Sequence, residues 1–136
     1  MTARQVLDSY ALLAYFEDEP GAAEVETLLM QAERTGAKLM LSVVNLGEVW
    51  YNIARVCSAQ AAEEKLQEIR GMAIEIIDAD WELTHEAARL KVKGKLAYAD
   101  CFAAALAKKH NADLITGDPE FKFLASQIKV HWLPQK

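Results

Sequence analysis

Short apolar runs alternate with amphipathic stretches along most of this chain. The longer stretches space their apolar residues as helices do, as with Val25, Leu28, Leu29 and Ala32 at positions i, i+3, i+4 and i+7. The short runs are typical of buried strands and fall at residues 5–7, 38–41, 73–77, 113–116 and 130–133. Strands that alternate with helices predict parallel βαβ units. We therefore expect an α/β fold, a three-layer α/β/α sandwich with a four- to five-stranded parallel sheet.

Capping residues mark the ends of the predicted helices. Ser42 and Ser58 stand where a hydroxyl can cap a helix, and Gly36 stands where a glycine commonly ends one. The fifth helix has two candidate caps, Asp78 and Asp80. The predicted helices span residues 10–16, 22–34, 42–55, 59–70, 78–92, 96–110 and 120–125.

Length and composition favour one globular domain. The 136 residues, of which 52% are hydrophobic, can bury a core, and no linker or repeat divides them. We expect a single domain over residues 1–136. Cys57 and Cys101 lack the spacing of a metal or redox motif, which favours free thiols in a reducing compartment. No apolar run approaches about 18 residues and no signal-peptide pattern opens the chain, so we expect a cytoplasmic protein without membrane contact.

Four acidic residues stand where a predicted strand gives way to a helix or turn. They are Asp8 after the first strand, Glu48 in the helix after the second, Asp100 at the start of an alanine-rich helix, and Asp118 after the fourth strand. The carboxyl ends of parallel strands share one edge of a sheet. Carboxylates gathered there repel one another unless a cation neutralises them, and Mg²⁺ or Mn²⁺ prefers such oxygen ligands. The pattern indicates a metal-dependent enzyme with these four acids as candidate metal ligands.

Each of these acids also has a purely structural explanation. Asp8 can cap the helix that follows it, and Asp118 lies in a Gly-Asp-Pro turn. Glu48 shares a polar stripe of its helix with Asn45, and that stripe faces either solvent or the strand ends. Asp100 is the most informative, because an isolated acid among closely packed alanines is costly unless it is capped or paired. Its position near the helix start also allows a structural explanation, in which the carboxylate interacts with the helix dipole.

Two hydroxyls stand beside the acids. Ser9 follows Asp8, and Thr116 precedes Asp118 by two positions. Such hydroxyls suit hydrogen bonding to a metal-bound water or a phosphate oxygen, although both are also ordinary turn residues. The candidate catalytic side chains are therefore Asp8, Ser9, Glu48, Asp100, Thr116 and Asp118.

The net charge of −5 is unevenly distributed. Residues 91–136 carry eight lysines against four acids, whereas the rest of the chain is acidic. A basic third suits a polyanionic substrate, but lysines that merely solvate helix surfaces would give the same composition. The lysines in question are Lys91, Lys93 and Lys95 in one short run, followed by Lys108, Lys109 and Lys122.

Five segments of the chain match a known family in order and spacing. They are Val6-Leu7-Asp8-Ser9, Glu19-Pro20-Gly21, Ser42-Val43-Val44-Asn45-Leu46-Gly47-Glu48-Val49, Tyr98-Ala99-Asp100 and Leu114-Ile115-Thr116-Gly117-Asp118-Pro119-Glu120-Phe121. Together they resemble the PIN domain and, more narrowly, the VapC-type toxins of prokaryotic toxin–antitoxin pairs. The resemblance covers essentially the whole chain. One departure is Tyr10, where many relatives have a small or polar residue.

The resemblance implies an endoribonuclease that uses Mg²⁺ or Mn²⁺, is often a homodimer and is inhibited by a small antitoxin protein. RNA would be the substrate. The family's acidic quartet falls on Asp8, Glu48, Asp100 and Asp118, and its hydroxyl positions fall on Ser9 and Thr116. The apolar crowding of Tyr10, Leu13 and Phe16 suggests part of a dimer or antitoxin surface.

Two other functions stay open from the sequence. A metal-dependent phosphatase can be built on a similar sheet, although the haloacid-dehalogenase type needs Asp-x-Asp and Tyr10 occupies the third place. A catalytically silent PIN-like module that binds RNA or protein is the alternative from another class, and the intact set of acids argues against it. RNA degradation that needs Mg²⁺ and stops on chelation would distinguish the enzyme from the module.

Overall fold

The computed structural model describes residues 4–135, so residues 1–3 and 136 of the predicted domain lie outside it. Within this range the strands are β1 (Gln5–Leu7), β2 (Leu39–Ser42), β3 (Ile74–Ile77), β4 (Asp113–Thr116) and β5 (Val130–Trp132). The α-helices are α1 (Ser9–Phe16), α2 (Ala22–Thr35), α3 (Val43–Val56), α4 (Ala59–Arg70), α5 (Trp81–Lys93) and α6 (Tyr98–Lys109), and a 3₁₀ helix spans Pro119–Leu124. No helix of the described range is long and apolar enough to cross a membrane.

The five strands form one parallel sheet in the order β3-β2-β1-β4-β5. Successive residues of a strand point to opposite faces. Val6 and Met40 therefore pack on one face with α5, α6 and the 3₁₀ helix. Leu7 and Leu41 pack on the other face with α1 to α4. The predicted three-layer α/β/α sandwich with a parallel sheet is confirmed.

Capping explains where several helices begin and where α2 ends. Ser42 and Ser58 cap α3 and α4 through their hydroxyls, as the sequence predicts. Asp80, rather than Asp78, caps α5 with a side-chain oxygen. Gly36 ends α2 in the left-handed region at φ 77°, where a residue with a Cβ is strained.

Most helix boundaries differ from the prediction by a residue or so, and two of the differences lie in segments next to the predicted acids. Helix α6 begins at Tyr98 rather than at residue 96, because Leu96 is buried in the core and Ala97 has an extended ψ of 148°. The helix predicted at 120–125 is a 3₁₀ helix that begins one residue earlier, at Pro119, where proline is favoured. The later start of α6 places Asp100 in its first turn.

Helix α6 approaches the sheet closely through small side chains. Ala103, Ala104 and Ala107 are at most 1% exposed, and the helix contacts β1, β2 and β4. Because α6 leads into the amino end of β4, its first turn lies at the opposite edge, where β1 and β4 end. The alanine-rich stretch thus brings Asp100 to the carboxyl edge of the sheet.

Candidate active site

Asp8 lies at the end of β1 and is buried, with 1% of its surface exposed. One carboxylate oxygen, Oδ1, accepts a hydrogen bond from the backbone N–H of Ala11 at 2.9 Å, so Asp8 is the N-cap of α1. The hydroxyl of Thr116, at the end of the neighbouring strand β4, donates to the same side chain. Asp8 therefore caps α1, as its structural explanation predicts, and it also faces the end of β4.

Glu48 lies half-buried in α3 and accepts a hydrogen bond from the hydroxyl of Ser9. Ser9 is itself buried, since 7% of its surface is exposed. This contact joins the start of α1 to α3. Arg55 follows Glu48 by seven residues and continues the polar stripe of α3. It is exposed and lies over the ring of Tyr51. The stripe therefore begins in the interior and ends in solvent.

Asp100 lies in the first turn of α6 with 8% of its surface exposed. Ala97 offers no side-chain cap there, so the free N–H groups of the helix favour a negative charge at this position. Asn45 of α3 is fully buried and donates from Nδ2 to the carbonyl oxygen of Ala99 at 3.1 Å. Its Oδ1 has no hydrogen-bond partner among the described residues. In the sequence Asn45 was predicted only as part of the polar stripe. In the structure Asn45 also ties α3 to the turn that carries Asp100.

Asp118 follows β4 and caps the 3₁₀ helix, with Oδ1 accepting from the N–H of Glu120 at 2.9 Å. The Thr116 hydroxyl accepts from the N–H of Asp118 at 3.0 Å. Oxygens of Asp100, Asp118 and Glu120 all lie within 4.8 Å of one another. Glu120 was not among the predicted site residues. Its place two positions after Asp118, in a tight Asp-Pro-Glu turn, is the signal that would have found it.

Burial and neighbouring charge perturb Asp8 strongly. Burial raises the pKa of the Asp8 carboxyl to about 7. The hydrogen bonds from Thr116 and Ala11 act against that rise in pKa, and the charges of Asp100 and Asp118 add to it. Asp8 is thus a buried acid that two other acids repel.

Asp100 is perturbed in the same way. Burial raises the pKa of its carboxyl to about 7, and the charges of Glu48, Asp118 and Glu120 add to the increase in pKa. The charge of Asp100 in turn raises the pKa of Asp8. Asp100 therefore interacts electrostatically with the three other predicted acids. The structure therefore brings the predicted acids of four separate segments to one edge of the sheet.

The donor set at this edge fits a hard divalent cation. Carboxylate oxygens are the ligands that Mg²⁺ and Mn²⁺ prefer, and three of these carboxylates already approach one another within 4.8 Å. The raised pKa values of Asp8 and Asp100 mean that near neutral pH these carboxyls tend to keep a proton. A cation would lower these pKa values by placing a positive charge beside the buried carboxylates, so the acids are suited to hold one.

Tyr10 lies over Gly117 in the loop that carries Asp118. A Cβ atom added to Gly117 would lie 2.7 Å from Cζ and 2.9 Å from the hydroxyl oxygen of Tyr10. Tyr10 also packs against the core beneath α1. The residue that departs from the family pattern is thus in direct contact with the acidic loop, and a larger residue at position 117 would displace its ring.

These features define an α/β protein whose parallel sheet carries a cluster of carboxylates at the ends of β1 and β4. The family model of the PIN domain matches residues 6–126, and the chain belongs to the PIN domain family. The family resemblance seen in the sequence is confirmed. No curated protein matches this sequence.

Solved structures from several prokaryotes share the fold. VapBC2 from Rickettsia felis, bound to a DNA fragment from its promoter, superimposes with a TM-score of 0.75 at 18% identity over 96% of this chain and 98% of that chain. A toxin–antitoxin complex from Klebsiella pneumoniae gives 0.66 at 21% identity over 93% and 95%. VapC20 from Mycobacterium tuberculosis, described as a toxin that cleaves the sarcin–ricin loop, gives 0.70 at 15% identity over 96% and 99%. At these identities the similarity concerns the fold, because one fold supports many functions.

Proposed function

We propose that this protein is a Mg²⁺- or Mn²⁺-dependent endoribonuclease and the toxin of a type II toxin–antitoxin pair. The observation that carries the proposal is the gathering of acids at one edge of the sheet, where oxygens of Asp100, Asp118 and Glu120 lie within 4.8 Å of one another. Burial, and then the neighbouring carboxylates, raise the pKa of Asp8 and Asp100 at this edge. Buried like charges destabilise a fold, so their retention favours a catalytic use. Membership of the PIN domain family supports the nuclease part, and the fold shared with VapC toxins supports the toxin part.

We assign cation binding to the acidic edge. Asp100 and Asp118 belong both to the predicted ligand set and to the close triplet, and Glu120 completes that triplet. Asp8 and Glu48 are the remaining predicted ligands. A cation bound there supplies a water of lowered pKa and polarises a phosphoryl oxygen.

The chain's own side chains would orient the reacting groups. The N–H of Ala11 and the hydroxyl of Thr116 fix the carboxylate of Asp8. The hydroxyl of Ser9 orients Glu48, whose carboxylate would accept the proton of the attacking water. The water oxygen would form a bond to phosphorus while the bond from phosphorus to the 3′ oxygen breaks, and the departing 3′ oxygen would take a proton from solvent. The products would carry a 5′-phosphate and a 3′-hydroxyl.

We further infer a small antitoxin partner, a homodimer and a place of action in the cytoplasm. The toxin–antitoxin complex from Klebsiella pneumoniae, which shares the fold, supports the partner. Leu13 and Phe16 are only partly buried on α1 and remain the candidate surface for antitoxin or a second subunit. Leu13→Glu should weaken one of these associations, measured by size-exclusion chromatography. A variant that dimerises and binds antitoxin like the unmodified protein would remove the assignment.

Cleavage of total RNA by the purified protein tests the enzymatic function. We expect degradation in Mg²⁺ or Mn²⁺ that EDTA stops and that Asp100→Asn abolishes. Glu33→Gln is the control, because it neutralises an exposed carboxylate near the end of α2, which leads into the amino end of β2 at the opposite edge of the sheet. Cleavage by Asp100→Asn at the unmodified rate would refute the assignment.

The same experiment separates the two alternatives. Release of phosphate from p-nitrophenyl phosphate without RNA cleavage would identify a phosphatase. RNA binding without any hydrolysis would identify a silent binding module. In cells, growth arrest on expression that disappears in Asp8→Ala would support the toxin.

A further inference from the structure

The connection between α5 and α6 lies against the 3₁₀ helix. A Cβ atom added to Gly94 would lie 2.8 Å from Cζ and 2.9 Å from Cε2 of Phe123, closer than such atoms approach in proteins. The backbone of Gly94 is extended, so the ring and not the backbone conformation favours a glycine here. Two segments that are distant in sequence are therefore in direct contact.

Each of these segments carries an exposed lysine next to the contact. Lys95 follows Gly94, and Lys122 precedes Phe123. Neither lysine forms an ion pair within 4.0 Å with any residue from 4 to 135. Phe123 itself is 44% exposed. The part of the ring that does not contact Gly94 is therefore open to solvent, on segments that each carry an exposed lysine.

The neighbouring lysines of the basic third are engaged within the fold. Lys91 donates to the carbonyl oxygen of Leu96 at 2.9 Å. The others face the acids of α5, as the pairs Lys108–Glu86 at 2.7 Å and Lys109–Glu82 at 3.4 Å, with Lys93 beside the same groove as Glu86. These contacts account for the lysines near α5 and α6. They leave Lys95 and Lys122 available for a ligand, together with Lys129, which precedes β5 at the opposite edge of the sheet.

The patch formed by Lys95, Lys122 and Phe123 lies on two segments that both lead to the acidic cluster. The 3₁₀ helix that carries Phe123 is capped by Asp118. The connection that carries Lys95 leads into the first turn of α6, where Asp100 lies. Because oxygens of Asp100 and Asp118 lie within 4.8 Å of each other, the two segments that carry the patch lead to the same group of acids.

We propose that Lys95, Lys122 and Phe123 form a surface that binds single-stranded RNA and positions it beside the acidic cluster. This inference rests on the nuclease function proposed above. The acids repel phosphate, so affinity for RNA has to come from neighbouring groups. Two lysines neutralise phosphates, and an exposed ring offers a face on which a base stacks. Continuity with the acidic cluster favours RNA over an acidic protein segment, the other ligand that would suit the lysines.

The binding of a fluorescein-labelled single-stranded RNA of about 20 nucleotides tests this surface. Protein with Asp100→Asn is used throughout so that the RNA stays intact. In Lys95→Glu/Lys122→Glu we expect the affinity to fall about tenfold or more at low salt. The slope of log affinity against log salt concentration should become shallower by about 1.4, because each lost phosphate contact contributes about 0.7.

Phe123→Leu tests the aromatic part separately. Leucine keeps an apolar contact with Gly94 but lacks the ring face. We expect the affinity to fall by about fivefold or more, with an unchanged salt slope, because stacking involves no counterion release. An unchanged affinity would remove Phe123 from the surface.

Lys38→Glu/Lys129→Glu is the matched control, since it makes the same change in charge at exposed lysines that precede β2 and β5, at the opposite edge of the sheet. RNA affinity that falls in the first pair and stays in the control supports the proposal. Equal losses in both pairs, or no loss in the first, overturn it. A poly-glutamate peptide that competes for the patch as strongly as unlabelled RNA also overturns it, in favour of an acidic protein ligand.

The two proposals fail in different ways. RNA binding through the patch without cleavage by the unmodified protein would overturn the nuclease function and leave the binding surface standing. Cleavage that is equally fast in Lys95→Glu/Lys122→Glu would overturn the surface alone. Absence of RNA binding altogether would overturn both. Thermal melting confirms that each variant is folded before it is assayed.

Discussion

Replacement of Asp100 by asparagine should make the cation-free protein more stable while it abolishes RNA cleavage. The carboxyl is buried, and Glu48, Asp118 and Glu120 raise its pKa. Asparagine has nearly the same shape but carries no charge, so it relieves both the burial penalty and the repulsion. A residue that served only structure would lose stability on replacement.

The magnitude follows from the perturbed ionisation. The pKa of Asp100 rises from an ordinary 3.8 to about 7. A difference of about three pKa units corresponds to about 4 kcal/mol, which is an upper bound. Solvent screening and the lost interaction with the helix N-terminus reduce the expected gain to about 1–3 kcal/mol. For a chain of this size the gain raises the melting temperature by about 3–10 °C.

The raised pKa also determines how the stability of the cation-free protein changes with pH. The unfolded state releases the Asp100 proton near pH 4, whereas the raised pKa keeps it bound in the folded state up to about pH 7. The cation-free protein therefore loses stability as pH rises through this window, and the penalty is complete above it. Asp100→Asn should melt like the unmodified protein at pH 4 and higher than it at pH 8.

Thermal melting in EDTA at pH 4 and pH 8 measures this difference. Glu33→Gln, which neutralises an exposed carboxylate near the end of α2 at the opposite edge of the sheet, should leave both melting temperatures unchanged. A melting temperature of Asp100→Asn below that of the unmodified protein at pH 8 would refute the electrostatic reasoning, because the charge would then be stabilising.

Three further predictions follow from the same contacts. Mg²⁺ or Mn²⁺ should raise the melting temperature of the unmodified protein at pH 8 and have little effect on Asp100→Asn; equal shifts in the two proteins would contradict cation binding at this edge. Gly117→Ala should destabilise the fold by about 1–3 kcal/mol in urea, because its Cβ meets the ring of Tyr10, and Tyr10→Ala in the same chain should restore part of the loss. Asn45→Ala should cost about 1–3 kcal/mol in urea, because the carbonyl of Ala99 loses its donor; no change in stability would mean that this bond does not hold α6 to α3.

The fold class followed from local pattern, and the boundaries that differed have local causes. Short apolar runs identified all five strands because a buried parallel strand needs apolar residues in succession. The start of α6 was predicted two residues early because Leu96 has the character of a helical core residue. In the structure Leu96 lies in the segment that precedes the helix and is buried in the core there. Such a residue satisfies burial in either conformation, so its pattern does not distinguish them.

The sequence by itself determined that Asp8, Glu48, Asp100 and Asp118 fall near one edge of a parallel sheet, because strand direction and helix order follow from local periodicity. Only the tertiary structure decided how the acids are arranged there. It added Glu120 to the cluster and set Asn45 between α3 and α6. It also separated Lys95 and Lys122 from the paired lysines around them. These outcomes depend on distances between segments far apart in the chain, and local periodicity carries no information about such distances.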